Sequence, residues 1–156
     1  MKRTYLIFIF VFAIAVLYII NGQGGATFKL FYYNELEDRE LNNGEIACDT
    51  RAVMPVIRDE KKDMSIEYVI KTLIEGTLTP EEKIAGFDTE FPNQNFTLLN
   101  TELKNDVLKL TFSEVPGFTS GGSCRVGLLR AQIEKTALQF ENVKEVIILP
   151  EEILQP

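Results

Sequence analysis

An uncharged hydrophobic run at the N-terminus constrains this chain more than any other feature. Residues Thr4 to Ile20 read TYLIFIFVFAIAVLYII, with no charge and no proline. As a helix the run would be about 25 Å long, the short end of what crosses a bilayer core. Lys2 and Arg3 precede it, so the positive-inside rule keeps the N-terminus inside and sends the rest outward. We therefore expect a single-pass cytoplasmic membrane protein with an extracytoplasmic domain.

A cleaved signal peptide is the alternative interpretation of the same run. Gly24, Gly25 and Ala26 form a small-residue cleavage site, although a poor one. The sequence leaves anchor and signal both open. In either case it predicts three parts: an anchor or signal over residues 1–21, a short flexible linker over 22–26, and one domain over 27–156.

The composition argues for a binding domain rather than an enzyme. The 46 % of hydrophobic residues are enough for a core, and there is no histidine. Histidine is the commonest general base and metal ligand, so we expect no catalytic residue, no metal and no cofactor. Without Lys2 and Arg3, the chain has 14 basic and 23 acidic residues, so this remainder carries a formal charge of −9. Such a domain is repelled by phosphates, so we expect no nucleic-acid partner.

Apolar periodicity predicts an α+β domain. Strands are expected over 27–33, 52–58 and 143–149, with a hairpin over 96–112 that turns at Asn105 and Asp106. Helices are expected between Ser65 and Gly76, between Thr79 and Gly86, and over 124–140, with Ser65, Thr79 and Ser123 as caps. This order indicates a mixed sheet of about five strands with two main helices on one face.

Three local details complete this prediction. Residues 34–49 are expected to form a polar loop. Pro55 cannot donate a ladder hydrogen bond, so the second strand belongs at an edge or a bulge. In the hairpin, Leu99 is expected to face Phe112 on the core side, and the first strand is expected to be central or covered on both faces.

Several segments, in order, resemble the GerMN domain of sporulation and spore germination proteins. FKLFYYN is similar to its opening strand, AVMPVIR to its LVPV-x-R segment, and SIEYVIKTLIEG with TPEEKIAGFDTEFP to its LL-x-GP … GL-x-T-x-IP stretch. VLKLTFSE resembles its V-x-VDLS strand, and AQIEKTALQFENVKEVIIL resembles its Q-x-x-x-T-L-x-QFP-x-V-x-x-V ending. The resemblance covers about residues 27–150, although Pro150 stands where the family usually has a glycine.

The resemblance implies a ring-building-type α+β module of the bacterial cell envelope, which acts by self-association or by contact with a protein partner. It carries over no catalytic residue. It does not decide whether the process is sporulation, and it names no partner.

Cys48 and Cys124 are the only cysteines, and an even number in an exported domain suggests a disulfide. The bond would pin the 34–49 loop to the start of the long helix. Closing a loop of about 77 residues would stabilise the fold by roughly 4 kcal/mol. Two free buried thiols, or a reactive thiol at the helix start, are the alternatives.

The start of the long helix is also a candidate ligand loop. Gly121, Gly122 and Ser123 precede or begin the helix, where backbone N–H groups can bind an anion, and Arg125 could assist. This would suit a small anion or a cell-wall glycan. The alternative is a plain loop with a cap. The carboxylates of Asp88 and Glu90 are expected to be solvated, since calcium would need more oxygen ligands nearby.

A candidate interface follows from the predicted sheet. If the helices cover only one face, then Phe31, Tyr33 and Ile147 have no partners and form an apolar patch suited to a protein. The alternative is that the 34–49 segment covers them.

Overall fold

The computed structural model describes residues 26–60 and 64–155. The predicted anchor, and the linker up to Gly25, lie outside the described residues. In the part of the chain that is described, no helix is both long enough and apolar enough to cross a membrane. The strands are β1 (Ala26–Asn34), β2 (Val53–Glu60), β3 (Phe87–Asp88), β4 (Leu98–Lys104), β5 (Val107–Phe112) and β6 (Glu145–Leu149). The helices are α1 (Glu35–Leu41), α2 (Ile66–Ile74), α3 (Pro80–Ile84) and α4 (Ser123–Ala137), with a 3₁₀ turn at Thr50–Ala52.

The α+β class is confirmed, but the strands form two three-stranded sheets rather than one mixed sheet. The first has the order β2-β1-β3 and is antiparallel. The second has the order β4-β5-β6, with β4 antiparallel and β6 parallel to β5. β3 is only two residues long and pairs with Tyr33 and Asn34 alone, so most of that edge of β1 carries no strand. Strand β1 is central in its sheet, as the sequence predicted.

Side chains at the C-terminal end of α4 and just beyond it close this open edge of β1. The backbone N–H of Phe31 donates to Thr136 Oγ1 at 3.0 Å. Gln139 forms two bonds of 2.8 Å with Lys29: its Oε1 accepts from the backbone N–H, and its Nε2 donates to the carbonyl. Because this edge of β1 is already hydrogen-bonded, no strand of the second sheet can pair with it, and the two sheets stay separate. On the opposite side, β2 is an edge strand that carries Pro55, which confirms the edge prediction.

Both sheets and the helices α2 and α4 share one hydrophobic core. Along β1 the buried residues alternate, with Phe28, Leu30 and Tyr32 on the core side. The hydroxyl of Tyr32 donates to the carbonyl of Leu73 in α2 at 3.1 Å, which satisfies its one buried polar atom. A cluster of aromatic rings joins the second sheet to this core, and it consists of Phe91, Phe96, Phe112 and Phe118.

Two predicted helix starts are confirmed and one is wrong. Ser65 caps α2 by accepting from the N–H of Tyr68, and Thr79 forms a reciprocal capping box with Glu82 at the start of α3. At α4 the capping position is Gly122 rather than Ser123, and no side chain caps the helix. Gly122 has a φ of 52°, a backbone conformation that favours glycine. The helix ends at Ala137, three residues before the predicted end.

The 34–49 segment is not simply a loop, because it begins with helix α1. Asn34 caps this helix by accepting from the N–H of Glu37 at 3.0 Å. In the hairpin, Asn105 and Asp106 form the expected two-residue turn with positive φ values of 52° and 63°. A bulge between Leu98 and Asn100 puts Leu98 opposite Phe112, so Leu99 points outward and is 64 % exposed.

Candidate functional site

A cavity of about 230 Å³ lies between the 34–49 segment and helix α4. We call it the disulfide pocket, because Cys48 and Cys124 form part of its wall. The other lining residues are Tyr33, Glu35, Ile46, Asp88, Thr89, Glu90, Arg125, Leu128, Leu129 and Gln132. They come from β1, α1, the segment around β3 and α4, so only the tertiary fold brings them together.

The predicted disulfide is present. Cys48 and Cys124 are bonded, with their Cα atoms 5.4 Å apart and a sequence separation of 76. The bond joins the end of the 34–49 segment to the first turn of α4, as the sequence suggested. Both cysteines are thus accounted for, which removes the free-thiol and reactive-thiol alternatives from this oxidised form.

Asp38 in α1 holds the rest of the 34–49 segment in place. Its carboxylate is fully buried and accepts from the N–H groups of Ala47, Cys48 and Asp49 at 2.8 to 3.1 Å. It also accepts from the hydroxyl of Tyr33 at 2.6 Å and from Asn42 Nδ2 at 2.8 Å. Five donors therefore converge on one buried side chain, and they fix the position of Cys48 beside α4.

These contacts determine the protonation states of Asp38 and Tyr33. Burial raises the pKa of Asp38, but the hydrogen bonds from Tyr33 and from the backbone of Asp49, Cys48 and Ala47 outweigh it and hold the pKa below its usual value. Burial and the neighbouring Asp38 carboxylate raise the pKa of Tyr33 above its usual value. Asp38 is therefore an ionised acceptor and Tyr33 a neutral donor at neutral pH.

The polar groups of the pocket carry more negative than positive charge. Arg125 Nε donates to Glu90 Oε2 at 2.7 Å, and Glu35 pairs with Arg39 at 2.9 Å. Asp88 lies beside them without a cationic partner among the described residues. Because Glu90 already balances Arg125, the lining is acidic overall.

The predicted ligand loop lies at the start of α4, next to this pocket. Gly121, Gly122 and Ser123 are exposed, and Arg125 is only half-buried. The guanidinium of Arg125 is occupied by its own protein, since its Nη2 donates to the carbonyls of Gly117 at 2.7 Å and Phe118 at 2.9 Å. An anion would have to compete with these carbonyls and with Glu90.

The three predicted interface residues belong to two different sheets. Phe31 and Tyr33 lie in the first sheet, whereas Ile147 lies on β6 of the second. Tyr33 is covered by the 34–49 segment through its bond to Asp38, which was the alternative interpretation. Phe31 instead lines an open groove of about 570 Å³ that we call the β1–α4 groove. The other residues of the groove are Thr27, Phe28, Lys29, Ile57, Lys135, Leu138 and Gln139.

Sequence reasoning missed the pocket and most of the groove. The exposed side chains of Ile57 and Leu138 were not singled out, and neither was Gln132 in the pocket. The sequence did contain a signal for Ile57 and Leu138. The two-residue period of a strand and the periodicity of a helix place each of them on a solvent-facing side, where an apolar side chain is unexpected. Among the described residues, no group of His, Cys, Asp and Glu side chains is arranged to hold a metal ion.

The site and fold together define an α+β domain with a disulfide-framed pocket and an apolar groove. A family model described as "Germane: Sporulation and spore germination" matches residues 29–152. The chain belongs to this family, which confirms the resemblance seen in the sequence and supports a germination-related role. No curated protein and no solved structure matched the chain in the corresponding comparisons.

Proposed function

We propose that this protein is a membrane-anchored extracytoplasmic interaction module of the bacterial cell envelope, in sporulation or germination. In this proposal the β1–α4 groove binds a segment of a partner protein. The observation that carries the proposal is the set of exposed apolar side chains around the groove.

Large apolar side chains at the groove are exposed to solvent. Ile57 is 65 % exposed and Leu138 is 47 % exposed, and the half-buried Phe31 lies in the same groove. Covering such side chains removes apolar surface from water at about 25 cal/mol for each Å². Contiguous apolar surface of this kind is typical of protein interaction sites.

The closed sheet edges decide how a partner would bind. Thr136 and Gln139 occupy the edge of β1, and Pro55 removes a donor from the edge of β2. Adding a strand to β1 at the groove is therefore unfavourable, and contact through side chains is favoured there.

Charge favours a partner of a particular kind. Lys29 and Lys135 line the groove, but Lys135 Nζ already donates to the carbonyls of Thr50 at 2.6 Å and Val53 at 3.0 Å. Lys29 is therefore the cation that a carboxylate next to the apolar side chains of a partner segment would meet. Two copies of this acidic domain repel each other, which favours a different protein over self-association. The hydrophobic run Thr4 to Ile20 supports placement at the membrane.

A crosslinking experiment on the full chain in its native membranes tests the groove. We expect Ile57→Glu and Leu138→Glu to abolish a specific crosslinked complex, because each buries a charge against an apolar partner surface. Ile84→Glu and Leu99→Glu are matched controls, since Ile84 and Leu99 are 83 % and 64 % exposed and lie outside the groove.

Two outcomes would contradict the proposal. One is a complex that survives both groove variants, which would place the contact elsewhere. The other is a groove-dependent product that mass spectrometry identifies as two copies of this chain, which would replace the partner protein by self-association.

The alternative function, a domain for cell-wall glycans or small anions at Gly121, Gly122, Ser123 and Arg125, draws less support. Its cation is already paired with Glu90 and hydrogen-bonded to two carbonyls.

A further inference from the structure

We propose that the disulfide pocket binds a small amphipathic molecule that carries a protonated amine. This site is separate from the β1–α4 groove and does not depend on the function proposed for it. Three features of the pocket carry the inference: its charge, its apolar wall and a buried amide oxygen that has no hydrogen-bond partner among the described residues.

The charge of the pocket selects a cation. Glu35, Asp88 and Glu90 line the cavity against one cation, Arg125. Arg125 is paired with Glu90, and Glu35 is paired with Arg39 outside the cavity. The carboxylate of Asp88 accepts only from the neighbouring backbone N–H of Thr89, so among the described residues it lacks a positive partner. An ammonium group beside Asp88 would supply one.

The wall of the pocket selects an apolar body for the ligand. Leu128 and Leu129 of α4 lie along one side, with the disulfide and Ile46 beside them. Pockets for drug-sized ligands measure roughly 300 to 1,000 Å³. A cavity of about 230 Å³ therefore suits a smaller molecule, such as one aromatic ring with a short arm.

Gln132 provides an independent sign of a ligand. Its side chain lines the cavity and is only 2 % exposed. Its Nε2 donates to the carbonyl of Leu128 at 3.2 Å, but its Oε1 has no hydrogen-bond partner among the described residues. Buried acceptors are almost always hydrogen-bonded, because a buried acceptor without a partner has given up its hydrogen bonds to water and gained none in the protein. In this proposal the ammonium group that pairs with Asp88 also donates one N–H to Gln132 Oε1, which supplies the missing bond.

Three probes of similar size, each an aromatic ring with one small polar group, test the charge preference. The purified full chain in detergent is titrated with benzylamine, benzyl alcohol and benzoate at neutral pH, and amide chemical shifts around α4 report binding. We expect saturable binding of the benzylammonium ion, weaker binding of the alcohol and none of the anion. Added salt should weaken the binding of the cation only.

Two variants test the assigned groups. Asp88→Asn keeps the acceptor for Thr89 but removes the charge, and it should raise the Kd of benzylamine roughly threefold to fivefold. Glu141→Gln, an exposed carboxylate beyond the other end of α4, should leave the Kd unchanged. Gln132→Met removes the acceptor at similar volume. It should weaken binding at least fivefold while the melting temperature stays equal or rises, since an unpaired polar atom is lost.

Opposite results would overturn the proposal. Benzoate binding that disappears in Arg125→Gln would assign the pocket to an anion. Saturable binding of none of the probes, or the same Kd for benzylamine in wild type and Asp88→Asn, would also reject it. If Gln132→Met does not fold, the residue is structural, and Asp88→Asn alone decides the charge preference.

Discussion

Asp38 shows how one side chain can organise a segment that lacks regular structure. The backbone from Ala47 to Asp49 has no strand to pair with, so its N–H groups need another acceptor. One ionised carboxylate accepts three of them together with the hydroxyl of Tyr33. The wall of the disulfide pocket therefore depends on the charge of a residue that does not touch the cavity.

The variant Asp38→Asn tests this role. An amide presents one acceptor and two donors to a site that holds only donors, so we expect a loss of about 2 to 4 kcal/mol in the free energy of unfolding. Urea denaturation at pH 7 measures it, with the exposed Asp59→Asn as the control.

The pH dependence of the stability difference between wild type and Asp38→Asn tests whether the charge of Asp38 is its cause. The pKa of Asp38 is lowered in the fold, so its contribution is complete above the unfolded value of about 3.9 and declines as the pH falls toward the folded pKa. The gap between wild type and Asp38→Asn should therefore narrow below about pH 4. An unchanged gap at pH 3 would show that shape, rather than charge, matters at this position.

At the scale of elements, most local signals were read correctly, apart from the cap expected at Ser123 and the helix α1 that Asn34 begins. The arrangement of distant segments into sheets was not predicted. Ser65, Thr79 and the turn at Asn105 and Asp106 act through neighbours within a few residues, so the sequence predicted them. The separation into two sheets depends on α4 occupying the edge of β1, a contact between segments 105 to 110 residues apart. No periodicity reports such a contact. The bulge that turns Leu99 outward likewise depends on how β4 meets β5.

The candidate sites follow the same division. The disulfide was predictable, because two cysteines allow only one pairing within the chain. The pocket was not, because Tyr33, Asp88 and Gln132 come together only when three elements are assembled. Phe31 was correctly placed on the outer face of β1, but its neighbours Ile57 and Leu138 belong to other elements.

The pair of Arg58 and Glu82 ties helix α3 to strand β2. Two parallel bonds join the guanidinium and the carboxylate, one of them 2.8 Å long, and Arg58 lowers the pKa of Glu82. The two side chains are only 20 % and 18 % exposed. A double-mutant cycle with alanine should give a coupling of about 1 kcal/mol or more.

The exposed pair of Glu67 and Lys71 on α2 is the matched comparison for this cycle. Its side chains are 55 % and 51 % exposed, so its coupling should stay near 0.3 to 0.5 kcal/mol. Equal couplings for both pairs would mean that burial adds nothing to the Arg58–Glu82 contact.

At the scale of the whole molecule, the disulfide is the main constraint on the unfolded chain. It links positions 76 residues apart, from the first half of the domain to the last helix. In the chain-entropy account, a loop of that length stabilises the fold by roughly 4 kcal/mol. The 34–49 segment would lose its tie to α4 on reduction, although the bonds of Asp38 would remain.

Denaturation with and without reductant measures this contribution. We expect reductant to lower the free energy of unfolding of the wild type by about 3 to 4 kcal/mol. The variant with Cys48→Ser and Cys124→Ser should start at the lower value and show no response to reductant. A wild type that is equally stable in both conditions would show that Asp38 alone holds the segment.

The hydrogen bonds between β1 and the end of α4 also affect local unfolding of the native domain. The amide protons of Lys29 and Phe31 belong to a central strand, yet they are held by Gln139 and Thr136 rather than by another strand. Helix ends fray more readily than a sheet centre opens. The hydrogen exchange of these two strand amides is therefore governed by the end of α4 and the residue Gln139 just after it, more than a hundred residues away in sequence.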